Sequence, residues 1–283
     1  MKTLIDAADL REQLRSSQPP LLLDCSFDLA DSAAGERAWR QGHLPGAQYV
    51  HLDRDLAGDK HDATGRFLGR HPLPERSALA RRLGQLGITP ATPVVCYDAQ
   101  GGVYASRAWW LLRWMGHADA AVLDGGLAAW CEAGGDLSRD IPAPRGAPPY
   151  PSHLPAMATI DAAGLQPRLG RTPLIDARAA ERFRGDVEPL DPAAGHIPGA
   201  CNRFFKDNLA PDGRFKDPAA LRAEWRPLLA GHDAAQVVQQ CGSGVTACHN
   251  LLALAHAGLG DSVLYPGSWS EWSADPARPQ AKG

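Results

Sequence analysis

Along this chain, short apolar runs alternate with longer stretches whose apolar positions recur at helical spacing. The runs LLLD, PVVCYD, PLID and AQVVQQC, ending at Asp24, Asp98, Asp176 and Cys241, are short and rich in branched residues, the pattern of strands in a covered sheet. SALARRLGQLG, ASRAWWLLRWMG and CHNLLALAHAG instead place Leu, Ala and Trp three and four residues apart, as helices with buried faces do. This alternation predicts an α/β fold with parallel sheets flanked by helices.

The pattern occurs twice. HLPGA at His43 to Ala47 returns as HIPGA at His196 to Ala200, each preceded by a strand ending in Asp and followed by a second strand and a helix. Each copy closes on a Gly-and-Trp segment, DGGLAAW ending at Trp130 and PGSWSEW ending at Trp272. The offset between copies is about 152 residues at Asp24 and Asp176 but 143 at Asp98 and Cys241, which places an insertion in the first copy between Asp53 and Val94. Six prolines in residues 141–155 favour extended chain and mark a linker. The expected division is an N-terminal domain over 1–140, the linker over 141–155 and a C-terminal domain over 156–283.

Composition narrows the partners. A hydrophobic fraction of 44%, a charged fraction of 22% and a net charge of -3 describe an ordinary globule without the basic excess that nucleic acid demands. The N-terminal stretch mixes charges with apolar residues and lacks the unbroken apolar run of a signal peptide or membrane span, so a cytoplasmic protein is expected. Six cysteines without CxxC spacing suit neither a disulfide scaffold nor a zinc site.

Cys241 stands apart from the other cysteines. It opens CGSGVTA, a glycine-containing loop between a strand and a helix, where backbone amides and a helix N-terminus can converge on an anion. A thiol in such an electropositive, partly exposed setting falls below its free pKa of about 8.5 and becomes a nucleophile. The same spacing also describes an ordinary tight turn.

The twofold HxPGA, the loop CGSGVT and the closing GSWSEW resemble the tandem-domain sulfurtransferases, the rhodaneses and 3-mercaptopyruvate sulfurtransferases. The resemblance spans nearly the whole chain. It implies two rhodanese-type domains, of which only the second is catalytic, in keeping with Asp98 standing where the second copy has Cys241. It also implies that the Cys241 thiolate takes sulfur from a small donor as a persulfide and passes it to a thiol acceptor, such as thioredoxin or a small thiol, or to cyanide. The loop amides from Gly242 through Ser243, Gly244, Val245 and Thr246 to Ala247 would hold the persulfide anion, so no metal or organic cofactor is expected.

Loop chemistry bears on the donor. Rhodaneses place basic side chains where Gly242 and Ser243 stand here, whereas CGSGVT is similar to the mercaptopyruvate enzymes. That resemblance implies a Ser243, His71 and Asp53 constellation, in a site between the domains, with a loop histidine that caps backbone as the competing view of His71, and makes Arg182 the leading carboxylate ligand with Arg184 a weaker candidate. The chain departs from the pattern after EP, where relatives carry a second arginine and this sequence reads LDP. Thiosulfate therefore remains an alternative donor, and Arg203 is a candidate to compensate.

Other features have structural readings. His43 and His196 recur with and without the cysteine, so they are expected to orient a turn, as Asp24 and Asp176 are expected to tie loops. Cys248 and the tryptophans at 109, 110 and 114 read as core, and Trp269 and Trp272 as candidates to line or cover the site. A phosphatase on this fold would need arginine where Ala247 stands. A binding or sensor module that uses the persulfide as a signal is the non-enzymatic alternative.

Overall fold

The computed structural model describes residues 2–143, 146–151 and 155–283, so residues 144–145 and 152–154 of the expected linker lie outside the described residues. The chain forms two compact units. The first holds a parallel sheet of β1 (Leu4–Ile5), β2 (Leu21–Asp24), β3 (Gln48–Tyr49), β4 (Val94–Tyr97) and β5 (Ala120–Leu123) in the order β1-β5-β4-β2-β3. The second holds β6 (Leu174–Asp176), β7 (Ala200–Asn202), β8 (Val238–Gln240) and β9 (Val263–Leu264) in the order β7-β6-β8-β9, again parallel. Single residues Thr159 and Leu264 form a parallel bridge at the edge where the first sheet has β1. The α/β fold read from the sequence is the fold observed.

Burial explains the run composition. Every residue of β2, β4 and β5 is buried, as expected of strands covered on both faces. In β8 the buried residues include Gln239 and Gln240, and the strand delivers Cys241 at the carboxyl end of the sheet, where α/β folds place their ligands.

Chain order and compact units do not coincide. The first unit comprises residues 1–58, 74–156 and 211–214, and the second 59–73, 157–210 and 215–283. Residues 59–73, inside the insertion of the first copy, thus belong to the second unit. Their docking is close: a Cβ on Gly69 would lie 2.9 Å from the Gly267 carbonyl oxygen, and the Arg70 amide donates to Ser270 Oγ at 3.1 Å. Arg214 pairs with Glu132 within the first unit at 3.1 Å.

The repeated histidines have matching duties. His43 Nδ1 lies 2.8 Å from the Trp39 carbonyl, and His196 Nδ1 lies 2.8 Å from that of Phe183, on whose ring it stacks. Asp24 accepts from the Ser26 amide, and Asp176 grips the Arg178 guanidinium. Trp269 and Trp272 do not cover a site. Both are fully buried in the core of the second unit beside Ile160, Leu174 and Ile197, with their indole N–H groups donating to the carbonyls of Ala193 and Pro279. Their large apolar rings gain more from that core than from an aqueous rim.

Candidate active site

Cys241 leaves β8 and enters a loop that turns at Gly244, φ +77°, before the helix Thr246–His256. Glycine is required there, because a Cβ would lie 2.5 Å from the Pro266 carbonyl oxygen. The turn brings two backbone amides onto the sulfur: Cys241 Sγ accepts from Ser243 N at 3.4 Å and Gly244 N at 3.1 Å. The cysteine is more enclosed than the sequence led us to expect, at 2% exposure, because the closing segment packs over its backbone. Trp269 N donates to the Cys241 carbonyl, Ser270 N to the Gly242 carbonyl, and the Cys241 amide to Ser268 Oγ at 3.1 Å. Those bonds fix the loop from behind. Burial raises the Glu271 carboxyl above its usual range, and the Tyr265 hydroxyl donates to it at 2.9 Å.

Ser243 and His71, distant in sequence, meet inside the second unit with Oγ and Nδ1 2.8 Å apart, both side chains buried. Asp53, the third member of the expected constellation, is exposed in the short helix Leu52–Asp55 of the first unit, where its amide donates to His51 Nδ1.

Arg182 reaches the loop: a Cβ on Gly242 would lie 3.5 Å from its Nη1. Its Nη2 donates to Glu188 Oε1 at 2.6 Å and to Asp191 Oδ2 at 3.2 Å. Arg184, by contrast, pairs with Asp186 at the surface. Arg203 does not compensate for the missing arginine, since it is held by Glu224, Asn208 and the Asp207 carbonyl, over the Trp225 ring. Sequence reasoning missed Arg70. Its Nη2 would be 2.7 Å from a Gly242 Cβ, its Nη1 is bound to Asp191, and burial, then the like charge of Arg182, lowers its guanidinium from the ordinary value. The only local signal was its place next to His71.

The other cysteines have different surroundings. Cys248 Sγ donates to the Gly244 carbonyl at 3.3 Å from the buried face of its helix, a packing role. Burial, followed by the neighbouring Cys96 thiol, pushes the Cys25 thiol well above its ordinary range and keeps it protonated.

The rhodanese-like domain family matches residues 6–133 and 161–275. A Pseudomonas aeruginosa protein named "Probable 3-mercaptopyruvate sulfurtransferase" is 48% identical over 95% of both chains. A Mycobacterium tuberculosis protein named "Putative thiosulfate sulfurtransferase SseB" is 42% identical over 100% of this chain and 98% of its own. The structure of 3-mercaptopyruvate sulfurtransferase from Leishmania major superposes with a TM-score of 0.85 at 30% identity, covering 96% of this chain and 74% of that one. Two matched domains, a thiol at the head of the second loop and relatives of one reaction class agree: the chain belongs to the rhodanese-like family and is a sulfurtransferase.

Proposed function

We propose that the protein takes sulfur from 3-mercaptopyruvate onto Cys241 and delivers it to a thiol acceptor, a small thiol or a protein dithiol of the thioredoxin kind, or to cyanide. The observation that carries this reading is the buried Ser243 to His71 contact at 2.8 Å beside a loop with no basic residue of its own. The Cys241 thiolate attacks the donor sulfur. A new S–S bond forms, the donor C–S bond breaks, and its electron pair remains on the three-carbon fragment, which leaves as pyruvate once protonated. Ser243, hydrogen-bonded to His71, is the group suited to hold the donor carbonyl and pass that proton. Arg182, in the same unit, takes the carboxylate.

The persulfide carries its negative charge on the outer sulfur, and the Ser243 and Gly244 amides, already directed at the cysteine sulfur, support that anion. An acceptor thiolate, or cyanide, then attacks the outer sulfur, the S–S bond breaks, and Cys241 departs as thiolate. Each half-reaction leaves one nucleophile for one consumed, so no external oxidant or reductant enters the cycle.

The test is a side-by-side measurement of kcat/KM for 3-mercaptopyruvate and thiosulfate, with intact mass after donor alone. One added sulfur on the Cys241 peptide and a preference for mercaptopyruvate are expected. A preference for thiosulfate overturns the donor assignment, and sulfur elsewhere, or none, overturns the mechanism.

A further inference from the structure

We propose that Arg70, contributed by the segment 59–73, is a donor-binding residue that joins Arg182 in holding the carboxylate of the sulfur donor. This inference rests on the donor reading above and deepens it. The two guanidinium groups converge on one point. A Cβ built on Gly242, the residue next to the nucleophile, would stand 2.7 Å from Arg70 Nη2, 3.5 Å from Arg182 Nη1 and 3.7 Å from Arg182 Nη2. Like charges brought together with little exposure, 20% for the Arg70 side chain and 18% for Arg182, are unfavourable unless anions hold them there.

Asp191 is the anion that does so. Its Oδ1 binds Arg70 Nη1 and its Oδ2 accepts from Arg182 Nη2 at 3.2 Å, so one carboxylate clasps both heads from one side. The Arg70 backbone is pinned separately, by its amide bond to Ser270 Oγ. What remains is donor capacity directed elsewhere: Nη2 of Arg70 faces Gly242, and Nε of Arg182 is buried with no hydrogen-bond partner among the described residues. A planar carboxylate is the group that matches a pair of guanidinium edges.

Charge balance selects among donors. Arg70, Arg178 and Arg182 are matched by Asp176, Glu188 and Asp191, which form ion pairs with them. A cluster already neutral accepts a single added negative charge at less cost than two, which favours a monocarboxylate over the thiosulfate dianion. The sequence lacks an arginine after EP because Leu190 and Asp191 stand there. In the folded unit Asp191 instead holds a guanidinium from another segment, that of Arg70, beside Arg182.

The experiment uses the full chain with Arg70→Gln and, independently, Gly242→Ala, whose methyl group crowds Arg70 Nη2 at its flexible tip. Steady-state rates with 3-mercaptopyruvate, and inhibition by pyruvate as a carboxylate that carries no sulfur, are measured for each. Arg70→Gln should raise KM about ten- to hundredfold and weaken pyruvate inhibition in parallel, with kcat within a few-fold, as loss of a charge-assisted contact made throughout the reaction requires. Gly242→Ala should move both constants in the same direction by a smaller factor. Saturating donor should still load one sulfur on Cys241 in both variants. Unchanged KM and pyruvate inhibition in Arg70→Gln, or a loss confined to kcat, overturns this role for Arg70 alone. An unsubstituted protein inert toward mercaptopyruvate overturns the donor reading itself.

Discussion

The loop after β4 and the loop after β8 follow one plan and hold different side chains. In the first unit Asp98 ends the strand region, and its carboxylate accepts four backbone amides: Gln100 and Gly102 on Oδ1, Tyr104 and Ala105 on Oδ2, all between 2.8 and 2.9 Å. In the second unit the Cys241 sulfur accepts two, from Ser243 and Gly244. Both backbones are then tied to the closing segment in the same way, the Asp98 carbonyl by Leu127 N and the Cys241 carbonyl by Trp269 N, each at 3.0 Å. The cradle is therefore a property of the strand, loop and helix arrangement, and in the proposed mechanism the chemistry belongs to the one residue at its centre. A carboxylate gripped by four amides is a finished structural contact. A polarisable sulfur with two amide partners keeps electron pairs with which to attack.

The sharpest test exchanges the two side chains. Cys241→Asp should leave a folded protein, since the cradle accepts a carboxylate elsewhere in the same chain, while sulfur transfer falls at least ~10³-fold with the nucleophile gone. Initial rates and a thermal melt read the two halves of this claim. A melting transition that collapses would mean that the second loop is built for sulfur and that the likeness to the first ends at the backbone.

Next in size is the converse change in the first unit. Asp98 is fully buried, and Asp98→Ala leaves four inward-facing amides without an acceptor. Each unsatisfied group costs about 1–3 kcal/mol when water cannot replace the partner, but the loop can relax, so a net loss of ~3–5 kcal/mol is expected. Urea unfolding gives the number, and Asp98→Asn, which keeps one acceptor oxygen, should recover part of it. A loss below ~1 kcal/mol would show that the four bonds merely decorate a loop held by other contacts.

How much of this was legible in sequence follows from where each signal lies. The twofold HxPGA, the strand-ending Asp98 and Cys241 and the glycine loop are local patterns, and local backbone chemistry dictates them. The pairing of Ser243 with His71 needed the family resemblance, because no periodicity relates residues 172 apart. Arg70 stayed hidden for the same reason. A segment of the first copy that folds as part of the second unit carries no mark of its destination, and the residue that fixes Arg70, Asp191, looked in sequence like the loss of an arginine. Trp269 and Trp272 misled in the opposite sense, since proximity to the site in sequence says nothing of which way an indole points.

The smallest expected effect concerns the closing segments, where the two units again differ by one residue. Gly126 has φ +56° and Ser268 φ +54°, the left-handed region in both cases. Glycine adopts it freely, whereas for serine it costs about 1 kcal/mol. Ser268 returns that cost through its hydroxyl, which accepts from the Cys241 amide at 3.1 Å and donates to the Tyr265 carbonyl at 2.9 Å. Ser268→Gly should therefore release the strain and lose the hydroxyl together, leaving stability within about 1 kcal/mol of the starting value. With the amide of the nucleophile no longer held, donor loading in a single turnover should slow by about five- to tenfold, the equivalent of roughly 1 kcal/mol in the barrier. Ser268→Ala keeps the strained backbone without the hydroxyl and should be worse than Ser268→Gly in urea while equally slow in loading. If loading is unchanged in both, the strained serine serves the turn alone, and the difference between the two units reduces to the residue at the head of the loop.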